Sequence, residues 1–309
     1  MHYRDLGKTG LRVSALSYGA AALGDVYGTI DQATGIRAVH TAVDLGINLI
    51  DVSPYYGLTR AETVLGRALK EIPRARYYLS TKVGRYGANE FDFSASRVTA
   101  SVDESLARLN LDDIDIILCH DIEFASLEQI VNETLPALRQ LRAEGKVRFV
   151  GVSGLPLKIF SNVLDHADVD VILSYCHYDL QDSSLADLIP YLKTKKVGIM
   201  NAAPTAMGLL TRQGTQPWHP APAEIKAICA QAATYCEAQG SNIVQLAIQF
   251  AIANPDIATT IVGSADPHEI ENDVAWAEQP LDLNLLAEVE SILAPVHNQT
   301  WQSGRAENN

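Results

Sequence analysis

Positive charge is scarce in this sequence. Lys and Arg total 24 against 37 Asp and Glu, a formal net charge of −13 over 309 residues. That balance repels a phosphate backbone or an anionic lipid surface, so no nucleic acid and no membrane is expected as a partner. No apolar run approaches the roughly 18 residues that a membrane span needs. Met1-His2-Tyr3-Arg4-Asp5-Leu6-Gly7 lacks the basic-then-apolar pattern of a secretory leader, and a cytoplasmic location is expected. Cysteine is sparse too. Cys119, Cys176, Cys229 and Cys236 form no CxxC pair and have no histidines at zinc-site spacing, so no metal is expected. Cys229 and Cys236 share a helix-like segment but lie about 10 Å apart along its axis, too far for a direct disulfide. All four read as reduced core thiols. Linkers, low-complexity segments and solenoid repeats are also missing, and residues 1–309 read as a single domain.

What the chain does have is 47% hydrophobic residues, ample for a sizeable core, arranged in alternating short apolar runs and longer amphipathic segments. Residues 3–14 read as a small hairpin turning through Gly7-Lys8-Thr9-Gly10. Strand-like runs follow at Ala15–Tyr18, Leu49–Val52, Tyr77–Lys82, Ile114–Cys119, Val147–Val152, Val171–Ser174, Val197–Asn201 and Thr259–Val262. Between them lie helix-like segments at Asp31–Asp44, Ala61–Leu69, Ser94–Leu109, Leu135–Glu144, Leu157–Asp165 and Leu185–Lys195, then Glu224–Gln239 with Ile243–Asn254, and finally Pro267–Glu278. Asp31 and Ser94 suit helix N-caps, and Gly145 and Gly240 suit C-terminal stops. Eight strand–helix alternations predict an α/β (β/α)8 TIM barrel with the hairpin plugging its bottom. Leu283–Leu293 is an extra helix, and the tail from Asn298 is long enough to cover the barrel mouth. Pro217-Trp218-His219-Pro220-Ala221-Pro222 reads as part of a long ordered loop.

Four residues stand at predicted strand ends or just beyond them, where such barrels place their chemistry. Asp51 ends Asn48-Leu49-Ile50-Asp51, Tyr56 returns from the turn Ser53-Pro54-Tyr55-Tyr56-Gly57, Lys82 ends Tyr77–Lys82, and His120 follows Ile114–Cys119. Singly each has a bland reading, as a packing tyrosine, a surface lysine, a turn former and a structural histidine. Jointly they suit proton transfer to an oxygen. An ammonium beside a phenol lowers the phenol pKa toward the working range, a carboxylate holds that ammonium in place, and a histidine orients the same substrate oxygen. With no covalent nucleophile and no metal, the set implies hydride transfer at the carbon beneath that oxygen and hence a nicotinamide cofactor.

The Asp51, Tyr56, Lys82 and His120 spacing resembles the catalytic tetrad of the aldo-keto reductases, over essentially the whole chain. Within that family the chain most resembles the plant-type subgroup that oxidises L-galactose. The stretches that carry this are Asp51 to Gly57, Phe91-Asp92-Phe93-Ser94-Ala95, Cys119 to Phe124, Leu173 to Tyr178, Ala206 to Thr211, Trp218-His219-Pro220 and Asn298-Gln299-Thr300-Trp301. The resemblance implies oxidation of a free aldose at C1 to the aldonolactone. In that reaction Tyr56 is the general base, Lys82 and Asp51 tune it, and His120 orients the sugar. It implies cofactor contacts from Asp51, Ser153, Ser174 or Tyr175, Ala203, Thr205 and Leu209. The loop after the last strand is expected to meet the adenosine ribose, through Gly263, Ser264, Glu269 and Asp273.

From Ile261 to Asp273 there is no Lys or Arg. Gly263 stands where the family resemblance leads one to expect a cation, and Glu269 where an arginine is usual. Asp266, Glu269, Glu271 and Asp273 repel a 2′-phosphate dianion, and one of them can accept from a ribose 2′-hydroxyl, so NAD is expected rather than NADP. An acidic helix start that suits the helix dipole accounts for part of the same pattern. Ala202 stands where many members stack a Tyr on the nicotinamide, so either Tyr175 takes that place or the ring is held more loosely. Val52 and Ser53 replace the commoner Thr-Ala, a change expected to leave the proton-transfer groups untouched. Substrate contacts are expected from Tyr56, Tyr86, His120, Asp121, Trp218 and Trp301, with Tyr27, Arg85, Phe124 and His219 also at the mouth. For the two tryptophans, loop anchoring on the rim is an equal reading. A sugar is the expected partner and a monomer or homodimer the expected state. The alternatives are a dehydrogenase of another galacto-configured sugar such as L-fucose, a general NADPH-dependent aldehyde or ketone reductase, and a nucleotide-sensing binding module like the channel accessory subunits of the family.

Overall fold

The computed structural model describes residues 1–309. Strands β1 (Tyr3–Asp5) and β2 (Arg12–Ser14) pair antiparallel, with Tyr3 opposite Ser14. Eight further strands close into a parallel barrel: β3 (Leu16–Gly19), β4 (Leu49–Asp51), β5 (Tyr78–Val83), β6 (Ile114–Cys119), β7 (Val147–Gly154), β8 (Val171–Tyr175), β9 (Gly198–Ala202) and β10 (Thr259–Val262), the last pairing back onto β3. The predicted (β/α)8 barrel is therefore the observed fold, and its strands agree with the sequence-based runs to within about two residues at either end. All six residues of β6 are buried, as expected for a strand covered on one side by helices and on the other by the lumen.

The helices form for local reasons legible in the chain. Asp31 caps Gln32–Asp44 by accepting from the Thr34 N–H at 2.8 Å, and the Ser94 side chain caps Ala95–Leu109. Along the latter helix Val98, Ser101, Val102, Ser105 and Leu109 are buried, the i, i+3, i+4 stripe of a helix lying on a sheet. Gly145 and Gly240 take positive φ after their helices, as expected of C-terminal stops. One feature without a sequence signal is the π-turn Ile130–Thr134, immediately before the helix Leu135–Ala143. All four cysteines are buried and unpaired.

The hairpin plugs the barrel bottom. Leu6, Leu11 and Val13 are buried in one cluster with the lumen-facing Leu49, Ile116, Leu118, Val171, Leu173 and Met200. Gly7 lies so close to the start of β9 that a Cβ there would sit 2.3 Å from the Gly198 nitrogen, at a φ of +53° that glycine adopts without strain. Above this apolar floor the lumen-facing positions change character. By the two-residue alternation of a strand, Leu49 gives way to Asp51, Tyr78 to Ser80 and Lys82, Leu118 to His120, and Leu173 to Tyr175. A polar layer thus begins at the C-terminal ends of the strands.

The tail crosses that end of the barrel, as its length suggested. The Gln181 side-chain amide donates to the carbonyls of Val296 and Gln299, each at 2.8 Å, and the Asn298 N–H donates to the Gln181 carbonyl at 2.9 Å. Further on, the Ser303 hydroxyl donates to Glu123 Oε1 at 2.9 Å, and the Asn308 amide donates to the carbonyls of Glu123 and Ala125 at 2.9 and 3.0 Å. The chain end is therefore strapped from the loop after β8 to the loop after β6.

Candidate active site

Asp51, Lys82, Tyr56 and His120 meet at the mouth. Lys82 Nζ donates to Asp51 Oδ2 at 2.5 Å, to the Val52 carbonyl at 2.8 Å and to the Tyr56 hydroxyl at 3.3 Å. An ammonium has three donors, and all three are used. Asp51 Oδ1 in turn accepts from the Ser80 hydroxyl at 2.8 Å. Such a buried ion pair persists only because its remaining valences are satisfied. The Tyr56 oxygen therefore receives Lys82, and its own O–H is left for whatever enters the mouth.

The surroundings decide which groups carry protons. Burial pushes the Tyr56 phenol well above its ordinary value, with the Asp51 and Asp121 carboxylates adding to the rise and the Arg85 guanidinium opposing it. The lowering expected from Lys82 is outweighed by burial and by the nearby carboxylates. The resting phenol keeps its proton. His120 is held well below its ordinary value, first by burial and then by Lys82 and Arg85, so it is neutral. Its Nδ1 lies 3.0 Å from the Ser53 hydroxyl, whose oxygen also accepts from the Tyr55 N–H at 3.1 Å. Ser53 is thus free to donate to Nδ1, which assigns the ring proton to Nε2, on the side where Asp121 Oδ2 lies 3.6 Å away. Tyr56 and His120 rings meet edge to face at 5.7 Å between centroids. The site offers neutral O–H and N–H donors on neighbouring rings.

Ser53 overturns one expectation. Its departure from the commoner residue touches the proton-transfer apparatus directly, since it sets the tautomer and the orientation of His120. Asp121 does reach the mouth, where it is paired with Arg85. Tyr86 does not: its hydroxyl accepts from the Gly84 N–H at 3.1 Å and Arg97 covers its ring at 4.0 Å, turning it toward the helix Ala95–Leu109. Trp218 and Trp301 bracket His219, at 6.1 and 5.0 Å between centroids, and Trp218 also meets Tyr27 at 5.9 Å. Both are placed as rim anchors on His219, with no contact to Tyr56 or His120. Sequence reasoning missed Glu123, which is wholly buried and receives the tail. Its one signal was the carboxylate two residues after Asp121.

The expected cofactor positions fall into two groups. Along β7 and β8, Ser153 lies in the lumen layer, where its hydroxyl accepts from the Asp121 N–H at 3.4 Å. Of the pair Ser174 and Tyr175, the lumen position belongs to Tyr175, whose hydroxyl lies 3.5 Å from Glu123 Oε1; the Ser174 hydroxyl is sealed in and unpartnered. After β9 the loop holds Ala203, Ala206 and Met207 at φ values of 57°, 47° and 53°. Three non-glycine residues in the left-handed region mark strain of the kind stored at functional sites, and Thr205 and Leu209 border them. The second group lines a cleft of about 370 Å³ between the loop after β3 and the loop after β10, walled by Tyr27, Gly28, Asp31, Gly263, Ser264 and Glu269. The Ser264 hydroxyl donates to Glu269, and Asp273 is buried, its carboxyl pushed up to about 7 by burial and by Glu269. Gly263 is needed for closeness: a Cβ there would sit 1.9 Å from the Gly19 carbonyl oxygen. The cleft offers backbone groups, hydroxyls and carboxylates and no cation, a donor and acceptor set that fits a ribose with free hydroxyls. The residues present therefore fit a dinucleotide lying from this cleft to the lumen mouth.

Comparison with known proteins bears on the same residues. Residues 15–294 match the model of the aldo/keto reductase family. The chain is similar to the L-galactose dehydrogenase of Arabidopsis thaliana, 51% identical with 99% of this chain and 98% of that protein covered. It is also similar to the D-arabinose 1-dehydrogenase of Saccharomyces cerevisiae, at 35% identity over 78% of this chain and 76% of that protein. Among solved structures, an aldo-keto reductase of Bacillus halodurans in its holo form superposes with a TM-score of 0.79 at 25% identity, covering 99% of both chains.

Proposed function

Because the chain belongs to the aldo/keto reductase family, we propose that it is a dehydrogenase of free aldoses that uses NAD and oxidises C1 to the aldonolactone, with L-galactose the leading substrate. The observation that carries this reading is that Tyr56 and His120 lie edge to face beside a buried Lys82–Asp51 pair whose own hydrogen bonds are complete and which reaches the Tyr56 hydroxyl. The named activities of the Arabidopsis and yeast relatives, both sugar dehydrogenases, support the substrate class.

A nicotinamide, when bound, supplies the acceptor for the hydride equivalent that leaves C1 and, in its oxidised form, a positive charge. The chain does the rest. His120 Nε2 donates to the C1 oxygen and holds it over the lumen. Tyr56, once it has released its own proton to solvent, takes the proton of the C1 hydroxyl, and Lys82 stabilises the phenolate that precedes this transfer. Asp51 holds Lys82 in place. Ala203, Thr205 and Leu209 border the span between lumen and cleft, where Gly263, Ser264, Glu269 and Asp273 would hold the adenosine end. The acidic cleft supports NAD over NADP, since Asp266 and Glu269 face a phosphate with like charge.

The test is the initial rate of reduced cofactor formation across free aldoses, with NAD and NADP side by side. L-Galactose with NAD is expected to give the largest kcat/KM, ahead of L-fucose and D-arabinose. Activity restricted to NADPH-dependent aldehyde reduction would overturn the reading.

A further inference from the structure

Asp121 is treated unlike any other carboxylate of the chain. It sits two residues after the end of β6 at a φ of 52°, in the left-handed region where a non-glycine residue is uncommon. Its side chain is 4% exposed, its Oδ2 is paired with Arg85, and the same oxygen lies 3.6 Å from His120 Nε2. Oδ1 accepts from no group of the chain, and it is not among the sealed, unpartnered atoms. Arg85 is held rigidly in turn: its Cζ lies 3.9 Å over the Tyr55 ring, with Phe91 at 5.3 Å and Phe124 at 5.5 Å completing an aromatic box. A buried ion pair costs desolvation, left-handed backbone adds strain, and both are concentrated beside the reacting position.

Building on the aldose reading, we propose that Asp121 accepts a hydrogen bond from the C2 hydroxyl of the sugar, and that Arg85 is a positioning residue that keeps Asp121 ionised and aimed at it. The argument is geometric. His120 Nε2 holds the C1 oxygen, and the carboxylate next to Nε2 meets whichever side of the ring at C1 is turned toward it. A pyranose offers two neighbours there, the ring oxygen, which has no proton to donate and is repelled by a carboxylate, and the C2 hydroxyl, which donates. Asp121 therefore selects one of the two ways the ring can lie, with C2 on its side, and so fixes which face of C1 turns toward the lumen. Burial raises the Asp121 carboxyl and Arg85 opposes that rise, so removing the guanidinium makes the acceptor lose its charge at higher pH. The site is thus built for aldoses that carry a free C2 hydroxyl.

The experiment measures kcat and KM for L-galactose, 2-deoxy-L-galactose and L-fucose, whose missing hydroxyl lies at the far end of the sugar. The wild type is expected to lose about 100-fold in kcat/KM on the 2-deoxy sugar, the scale of one lost hydrogen bond to a charged group, and only a few-fold on L-fucose. Asp121→Ala should shrink the 2-deoxy penalty to about 3-fold. Asp121→Asn, which tolerates the left-handed backbone, should leave it near 10-fold, between Ala and wild type, because the amide accepts without a charge. In Arg85→Met the penalty should become pH-dependent, present at high pH and fading as pH falls. Arg85→Lys should restore its constancy. A wild type that uses both sugars equally well, or Asp121 variants that lose both sugars by the same factor, would overturn this proposal alone. No turnover of any free aldose by the wild type would sink the functional reading and this proposal with it.

Discussion

Strand β6 has a buried aspartate at its start and another just past its end, and the two are handled in opposite ways. Asp115, at the bottom of the barrel, is fully buried and saturated: Oδ2 accepts from Arg74 at 2.6 Å and from the Leu79 N–H at 2.8 Å, and Oδ1 accepts from Arg148 at 2.5 Å. Asp121, at the mouth, has one arginine, an oxygen without a partner and a left-handed backbone. The same contrast holds for the barrel as a whole. Left-handed non-glycine residues at the bottom, Asn110 and Lys196, end helices and bond to the preceding turn, whereas at the top Asp121, Cys176 and Ala203 lie within two residues of strand ends. Completed polar networks at one end hold the barrel closed. Incomplete ones at the other leave valences for a substrate, which is why stability and chemistry separate along a single strand.

The comparison breaks most sharply at Tyr56. Tyr56→Phe removes the proton acceptor and leaves the Lys82–Asp51 pair in place, so kcat should fall about 10³–10⁴-fold, with NAD affinity by fluorescence titration changed by less than about 3-fold. Since burial holds the wild-type phenol well above 10, its base form should increase about tenfold per pH unit, and log kcat/KM for oxidation should climb with a slope near 1 from neutral to alkaline pH. A flat profile would place the proton acceptor elsewhere. At the other end, Asp115→Ala leaves the buried Leu79 N–H without a partner and takes one carboxylate from Arg74 and the only one from Arg148. Urea unfolding should show a loss of about 3 kcal/mol, with the kcat/KM of the folded fraction unchanged. A fall in kcat/KM with stability intact would erase the division between the ends. The smallest effect is expected at the tail strap. Asn308→Ala removes two hydrogen bonds to the β6 loop, for about 1–2 kcal/mol of local anchoring, and sugar KM should rise about 2–5-fold with kcat nearly constant.

Much of this was legible in the chain. The alternation of short apolar runs with amphipathic segments specified the barrel, because period-two and period-3.6 patterns each fit one kind of surface. Asp51, Lys82 and His120 could be placed at or next to strand ends because a barrel strand is short and its boundaries show. The cation-free run from Ile261 to Asp273 could be read as charge alone. Tyr86 lies beyond the end of β5, where strand alternation no longer fixes side-chain direction, and its contacts with the Gly84 N–H and Arg97 decided its orientation. Ser53 was undervalued because its role depends on a histidine far along the chain.

By itself the sequence determined the strand and helix order, the helix caps, the acidic balance and the set of residue types able to move a proton, since each follows from local pattern and composition. Tertiary structure alone decided which of those groups carry protons. Tyr56 keeps its proton because it is buried beside the Asp51 and Asp121 carboxylates, and His120 is neutral because it is buried near Lys82 and Arg85, with its proton assigned to Nε2 because Ser53 stands behind Nδ1. Desolvation and hydrogen-bond partners act over a few ångströms in space, between residues that sequence position leaves far apart.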